Sequence, residues 1–101
     1  VLAVVPFEDE EEAVRLANDT VYGLAAGIWT GDATRAIRIA ERIQAGTIYV
    51  NNYFNSATQS PVGGYKQSGY GRENGIEGIL SFMQTKSVWL STQPGISNPF
   101  G

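Results

Sequence analysis

Apolar residues run almost without interruption from Val1 to Phe7, a pattern that predicts a strand buried on both faces rather than an amphipathic edge. Polarity then switches abruptly, because Glu8 to Glu12 are all acidic. Asp9 suits a helix N-cap, with Glu12 completing a capping box, and the acidic run sits where a helix dipole favours negative charge. Ala13, Leu16 and Ala17 supply the apolar face of that helix, and Asn18, Asp19 and Thr20 end it. Tyr22 to Trp29 reads as a second strand whose small residues Gly23, Ala25, Ala26 and Gly27 imply close packing. From Asp32 to Ala45, Ala33, Ala36, Ile37, Ala40 and Ile43 recur at helical spacing, with Gly46 placed to terminate the helix. Thr47 to Asn51, β-branched and aromatic, predicts a third strand.

Successive strand-helix-strand units imply parallel strands joined by right-handed crossovers, so the expected fold class is α/β, a partial parallel β-α-β-α-β unit. Asn52 to Gly71 follows as about 20 residues with neither period, and a loop of that length in a compact domain is usually functional. It begins past the C-terminal end of a parallel strand, where open α/β sheets place ligands. Ile76, Ile79, Leu80 and Met83 mark a short helix weakened by Gly75 and Gly78, and Lys86 to Leu90 predicts a last strand. The tail from Ser91, with Pro94, Gly95, Pro99 and Gly101, is expected to be flexible.

At 101 residues, 43% hydrophobic and 17% charged, the chain suits one small domain hiding about two-thirds of its unfolded surface. The net charge of −3, with seven scattered Lys and Arg, provides no basic stripe for nucleic acid. No apolar run approaches the roughly 20 residues that span a bilayer. With neither cysteine nor histidine, disulfides, thiolate metal sites and an activated serine or cysteine nucleophile are all excluded from these residues.

The densest signal is PVGGYKQSGYGRE at 61–73, where Gly63, Gly64, Gly69 and Gly71 surround Lys66 and precede Arg72. Such a run means a sharply turning backbone or a close approach to it. It is no Walker loop, because Lys66 follows Tyr65 and precedes Gln67. Nor is it a dinucleotide fingerprint, since Gly69, Gly71 and Gly75 are spaced GxGxxxG far from the nearest strand. A structural loop at the edge of a pocket is the preferred reading.

As a string, SPVGGYKQSGYGRENG resembles a segment near the C-terminus of NAD(P)-dependent aldehyde dehydrogenases, and VLAVVPF, NDTVYGLAAGIWT and QAGTIYVNN are similar to that family in the same order. The resemblance runs from Val1 to about Leu90 and implies a C-terminal piece: 1–84 from the catalytic domain, 85–101 an oligomerisation strand and tail. Valine at position 1 fits a cut start. The family's cysteine nucleophile, glutamate base and dinucleotide domain would lie upstream. NAD or NADP is therefore expected in the complete enzyme and not on these residues alone, and the substrate would be an aldehyde.

Carried onto this chain, the resemblance nominates Tyr53, Phe54, Ser56 and Val62 as lining the aldehyde tunnel, with Val62 smaller than the aromatic residue common there. It leaves Asn51, Gly63, Gly64, Lys66, Gly69, Gly71 and Arg72 as loop-structural residues. It also places Ser87, Val88, Trp89 and Leu90 in a strand pairing across a homo-oligomer interface. The compartment is open, with the cytoplasm preferred. A second expectation belongs to another class: the chain taken alone is a noncatalytic structural module that self-associates.

Overall fold

The computed structural model describes residues 1–93, 95 and 100. Helix α1 spans Glu10–Asn18. Asp9 caps it by accepting from the Glu12 amide at 2.8 Å. The reciprocal bond differs from the expected capping box: Glu12 Oε2 accepts from the Glu8 amide at 3.0 Å, one residue before the cap. Strand β1 is Tyr22–Gly23 and β2 is Ala25–Ile28, so the single strand expected over Tyr22 to Trp29 breaks at Leu24. Helix α2 is Ala33–Arg42, β3 is Thr47–Val50, β4 is Tyr65–Lys66, and α3 is Gly75–Leu80.

The α/β character rests on one strand-helix-strand unit within this order. β2 pairs with β3 in parallel, Ala25 opposite Thr47 and Ile28 opposite Val50, with α2 as the crossover. β1 turns away to pair antiparallel with β4 from inside the long loop, Tyr22 opposite Lys66 and Gly23 opposite Tyr65. The break at Leu24 thus lets one stretch of chain serve two sheets.

α2 ends before Gly46, contrary to the expected terminator. Ile43 is already extended at φ −76°, ψ 128°. Asn18 is the cause: its Nδ2 donates to the Arg42 carbonyl at 2.9 Å and its Oδ1 accepts from the Gln44 amide at 2.8 Å. A side chain from α1 satisfies the helix end that a C-cap glycine would otherwise serve.

The two helices also meet through charge. Arg38 Nε and Nη2 grip Glu10 at 2.7 Å each, Arg35 lies 3.6 Å from the same carboxylate, and Arg42 Nη2 donates to Glu11 at 2.6 Å. The Arg38 hydrogen bond holds Glu10 below the ordinary carboxylate range, and the same bond pushes Arg38 up.

Two expected strands do not form. Val1 to Phe7 belongs to no sheet, with Leu2 at 86% exposure. Lys86 to Leu90 likewise has no strand pairing, and Trp89 is 94% exposed. The physical reason is shared: a strand needs a ladder partner, and none of the described residues offers these segments one. The β-α-β-α-β unit is therefore reduced to a single parallel β-α-β. Of the tail, Pro94, Pro99 and Gly101 lie outside the described residues.

Burial falls short of the compositional expectation. The chain exposes 8856 Å², whereas about 5,600 Å² is typical of a compact monomer of this mass and about 15,800 Å² of its unfolded chain. About 44% of the unfolded surface is hidden on that scale, not two-thirds. Val14, Ala36 and Ala45 are the buried apolar side chains among the described residues, and the radius of gyration is 22.0 Å against about 13 Å for a compact chain of this length.

Candidate functional site

The candidate site grows from the C-terminal end of β3. Asn51 extends the parallel ladder by donating its amide to the Ile28 carbonyl at 2.8 Å, then turns the chain at φ 54°. Its side chain clamps the end of β2: Oδ1 accepts from the Thr30 amide and Nδ2 donates to the Thr30 carbonyl, both at 2.9 Å. Asn51 thus acts on Thr30 across the sheet. Left-handed backbone costs a non-glycine residue on the order of 1 kcal/mol or more, and these bonds hold it there.

Past that turn, Tyr53 and Phe54 meet edge to face with centroids 4.8 Å apart, and Tyr53 also leans on Tyr49 at 5.1 Å. Phe54 is left-handed as well, at φ 61°. Trp29 and Tyr53 flank Gly27, which pairs with Tyr49 in the β2–β3 register. Tyr49 therefore joins the expected aromatic pair, and Trp29 stands beside it over Gly27, where a glycine faces an aromatic across the sheet.

Ser56 is exposed, and no side-chain hydrogen bond joins it to another of the described residues. Val62 is half-buried and exchanges two backbone bonds of 2.7 Å with Glu73. No hydrogen bond or ring contact links Ser56 or Val62 to the aromatic pair, so the four expected lining residues fall into a joined pair and two separate positions.

The Val62–Glu73 bridge closes the glycine-rich segment into a loop on itself. Inside it, Arg72 Nη1 donates to the carbonyls of Gly64 and Gly71 at 3.0 and 2.8 Å, with its guanidinium 6.0 Å from the Tyr65 ring centre. Lys66 Nζ reaches outside to the carbonyls of Asn18 and Thr20 at 2.7 and 3.0 Å, a cation at the C-terminal end of α1 where the dipole favours it. Both cations hold main-chain oxygens and not carboxylates.

The glycines divide by role. Only Gly69 of the four has positive φ, at 119°. Gly63 and Gly64 are needed for close approach: a methyl group at either would collide, with the Gly71 carbonyl and Arg72 at Gly63 and with Ser68 at Gly64. Gly71 has open space and an ordinary φ, and nothing in the structure explains it. The tightest approach involves a glycine outside the motif, since a methyl on Gly46 would strike the Gly63 carbonyl.

Part of the loop's main chain is already engaged. The amides of Val62, Gln67, Ser68, Gly69 and Glu73 donate to Glu73, Val21, Tyr65, Lys66 and Val62 carbonyls. A pyrophosphate cradle needs such donors free. Those five amides are already committed within the protein.

A concavity of about 1000 Å³ lies elsewhere, an open apolar groove lined by Phe7, Val14, Ile28, Trp29, Ile39 and Ile43 among others. None of Tyr53, Phe54, Ser56 and Val62 lines it. Among the described residues no helix is long and apolar enough to cross a membrane.

Comparison with known proteins bears on these same residues. Residues 1–88 match the pattern described as Aldehyde dehydrogenase family. Over 100 residues the chain is 44% identical to betaine aldehyde dehydrogenase of Bacillus subtilis, covering 99% of this chain and 20% of that protein. It is 49% identical over 92 residues to 4-trimethylaminobutyraldehyde dehydrogenase of Oryzias latipes, covering 91% of this chain and 18% of the relative. The NAD+ complex of an aldehyde dehydrogenase from Bacillus cereus superposes with a TM-score of 0.87 at 41% identity, covering 92% of this chain and 19% of the other. The chain spans about a fifth of the length of the relatives it matches. With 88 of 101 residues inside the family pattern and the same backbone in a solved relative, the chain belongs to the aldehyde dehydrogenase family.

Proposed function

We propose that the chain is the C-terminal part of an aldehyde dehydrogenase, residues 1–84 from the catalytic domain and 85–101 an oligomerisation strand and tail, supplying one wall of the aldehyde tunnel. The observation that carries this reading is the Tyr53–Phe54 pair standing at the C-terminal end of a parallel strand, braced by Tyr49, where such sheets place ligands. Aromatic walls there hold an apolar substrate tail and keep water away from the reacting carbonyl. Ser56 adds one polar contact, and Val62 leaves the passage wider than an aromatic residue would.

The oxidation itself, aldehyde to carboxylic acid with NAD or NADP, belongs to the complete enzyme. This chain has no cysteine to serve as nucleophile, so on this reading it is inactive alone. Its own residues shape the passage and brace it: Asn51 ties the loop's root to β2, and Lys66 and Arg72 fix its far end.

The test is a chimera in which residues 1–101 replace the matching segment of the Bacillus subtilis relative. Val62→Phe in that chimera is expected to lower kcat/KM for bulky aldehydes about tenfold relative to small ones, and Tyr53→Ala with Phe54→Ala to flatten size discrimination. Unchanged ratios across aldehyde sizes would sink the tunnel assignment.

A second reading has its own observation. Val88, Trp89 and Leu90 are 78%, 94% and 86% exposed, and such a segment invites pairing. On this reading Ser87 to Leu90 pair with another copy, and the isolated chain self-associates as a noncatalytic module. Sedimentation showing a monomer at high concentration would count against it.

A further inference from the structure

We propose that Asn74–Gly75 is a self-modification site, at which the Asn74 amide is converted by water to aspartate and isoaspartate. Three observations converge on it. Asn74 is exposed, it is followed by the residue with the least side chain to obstruct attack, and its side chain makes no capping hydrogen bond to α3. Its backbone is also unusual, at φ 60° and ψ 175°, a region that glycine occupies and other residues enter only with strain.

The other asparagines sharpen the assignment. Asn18 and Asn51 each have both side-chain polar atoms engaged, with Arg42 and Gln44 and with Thr30. Asn52 and Asn55 precede Tyr53 and Ser56, whose side chains crowd the attacking nitrogen. Asn74 alone among the described asparagines combines an unheld amide with a following glycine.

The chemistry balances without a co-reactant other than water. The Gly75 main-chain nitrogen gives its proton to solvent base and attacks Cγ of Asn74. A C–N bond forms, the Cγ–Nδ2 bond breaks, and ammonia leaves from a five-membered succinimide. Water then opens the ring at Cγ, restoring the chain with a carboxylate side chain, or at the main-chain carbonyl, routing the backbone through the former side chain.

The fold both creates this site and restrains it. Gly75 sits at φ 59°, and a methyl there would stand 3.0 Å from Glu77 Oε2, 3.1 Å from the Gln59 carbonyl and 3.2 Å from the Pro61 nitrogen. The packing that demands glycine at 75 therefore removes the shield from Asn74. Against this, the Gly75 amide donates to the Thr58 carbonyl at 3.0 Å, and that bond must open before the nitrogen can attack. Conversion at 74 thus reports how often α3 parts from the 58–61 strand of loop.

The test incubates the 101-residue chain in heavy-oxygen water at neutral and alkaline pH, followed by peptide mapping with fragmentation that separates aspartate from isoaspartate. Asn74 is expected to lose its amide ahead of Asn18, Asn51, Asn52 and Asn55, with heavy oxygen in the product and a rate that rises with pH. Urea, which releases the Thr58 bond, should raise the rate severalfold, and Asn74→Gln should abolish conversion at 74 while leaving the other sites as they were. Retention of the Asn74 amide while Asn55 converts overturns the proposal. So does a product without heavy oxygen, or a rate that urea leaves unchanged.

Discussion

The stretch from Tyr22 to Glu73 and the two apolar segments outside it, Val1 to Phe7 and Lys86 to Leu90, are built from similar residues and end in opposite states. The middle closes on itself, β2 on β3, β1 on β4, Val62 on Glu73, with Asn51 and Arg72 donating to its own carbonyls and Lys66 tying it to the end of α1. The outer segments carry apolar residues like those of β3 yet stay exposed, Leu2 and Trp89 among them. Apolar β-rich sequence is thus a request for a partner and not a strand by itself. The middle finds its partners within the chain, and on the proposed reading the outer segments find theirs in the rest of the enzyme and its neighbouring subunit.

Several substitutions break or sharpen this contrast. The largest effect is expected at Gly46→Ala, whose methyl collides with the Gly63 carbonyl and should cost about 3 kcal/mol or more. Loss of exchange protection at Gln67 and Ser68 is the readout. Its counterpart in the outer region, Leu2→Ser, should change stability by less than about 0.5 kcal/mol. Equal effects from the two would erase the distinction.

Asn51→Ala removes both bonds to Thr30 and leaves a left-handed alanine, an expected loss of about 2 kcal/mol. Exchange at the Thr30 amide measures it, and Asn51→Gly should recover the backbone part alone. Lys66→Met withdraws the cation from the end of α1 and should cost about 1 kcal/mol, because the site is exposed and screened. Raising salt should shrink the difference between Lys66→Met and the parent.

The smallest effect belongs to the pair between helices. Glu10 has its folded pKa lowered, chiefly by the Arg38 hydrogen bond, so its contribution is present above the ordinary carboxylate pKa and is lost as pH falls through the lowered value. Arg38, raised, stays charged across that window. Acid titration of the parent against Glu10→Gln should show the parent losing its advantage on the acid side; a difference that persists at low pH would contradict the assignment.

Much of this was legible along the chain. Asp9 and Asp32 announce the two helix starts, and the β-branched run at Thr47 marks β3. What was hidden depends on partners distant in sequence. The break at Leu24 exists because β4 draws β1 away, and α2 stops early because Asn18 takes its last carbonyl. Local pattern sees neither. In the candidate site, Tyr53 and Phe54 were reachable from the family resemblance, while Tyr49 and Trp29 required the register that sets Gly27 opposite Tyr49. The glycine run left turn and close approach both open, and the structure uses each: of the four glycines Gly69 alone has positive φ, while Gly63 and Gly64 allow close approach.

Hydrogen exchange on the 101-residue chain tests the central contrast most directly. Protection is expected at the ladder amides of 26–28 and 48–51 and at Gln67 and Ser68, with none at 2–7 or 86–90. Protection of the outer segments equal to that of β2 and β3, at a concentration where the chain is monomeric, would contradict the account.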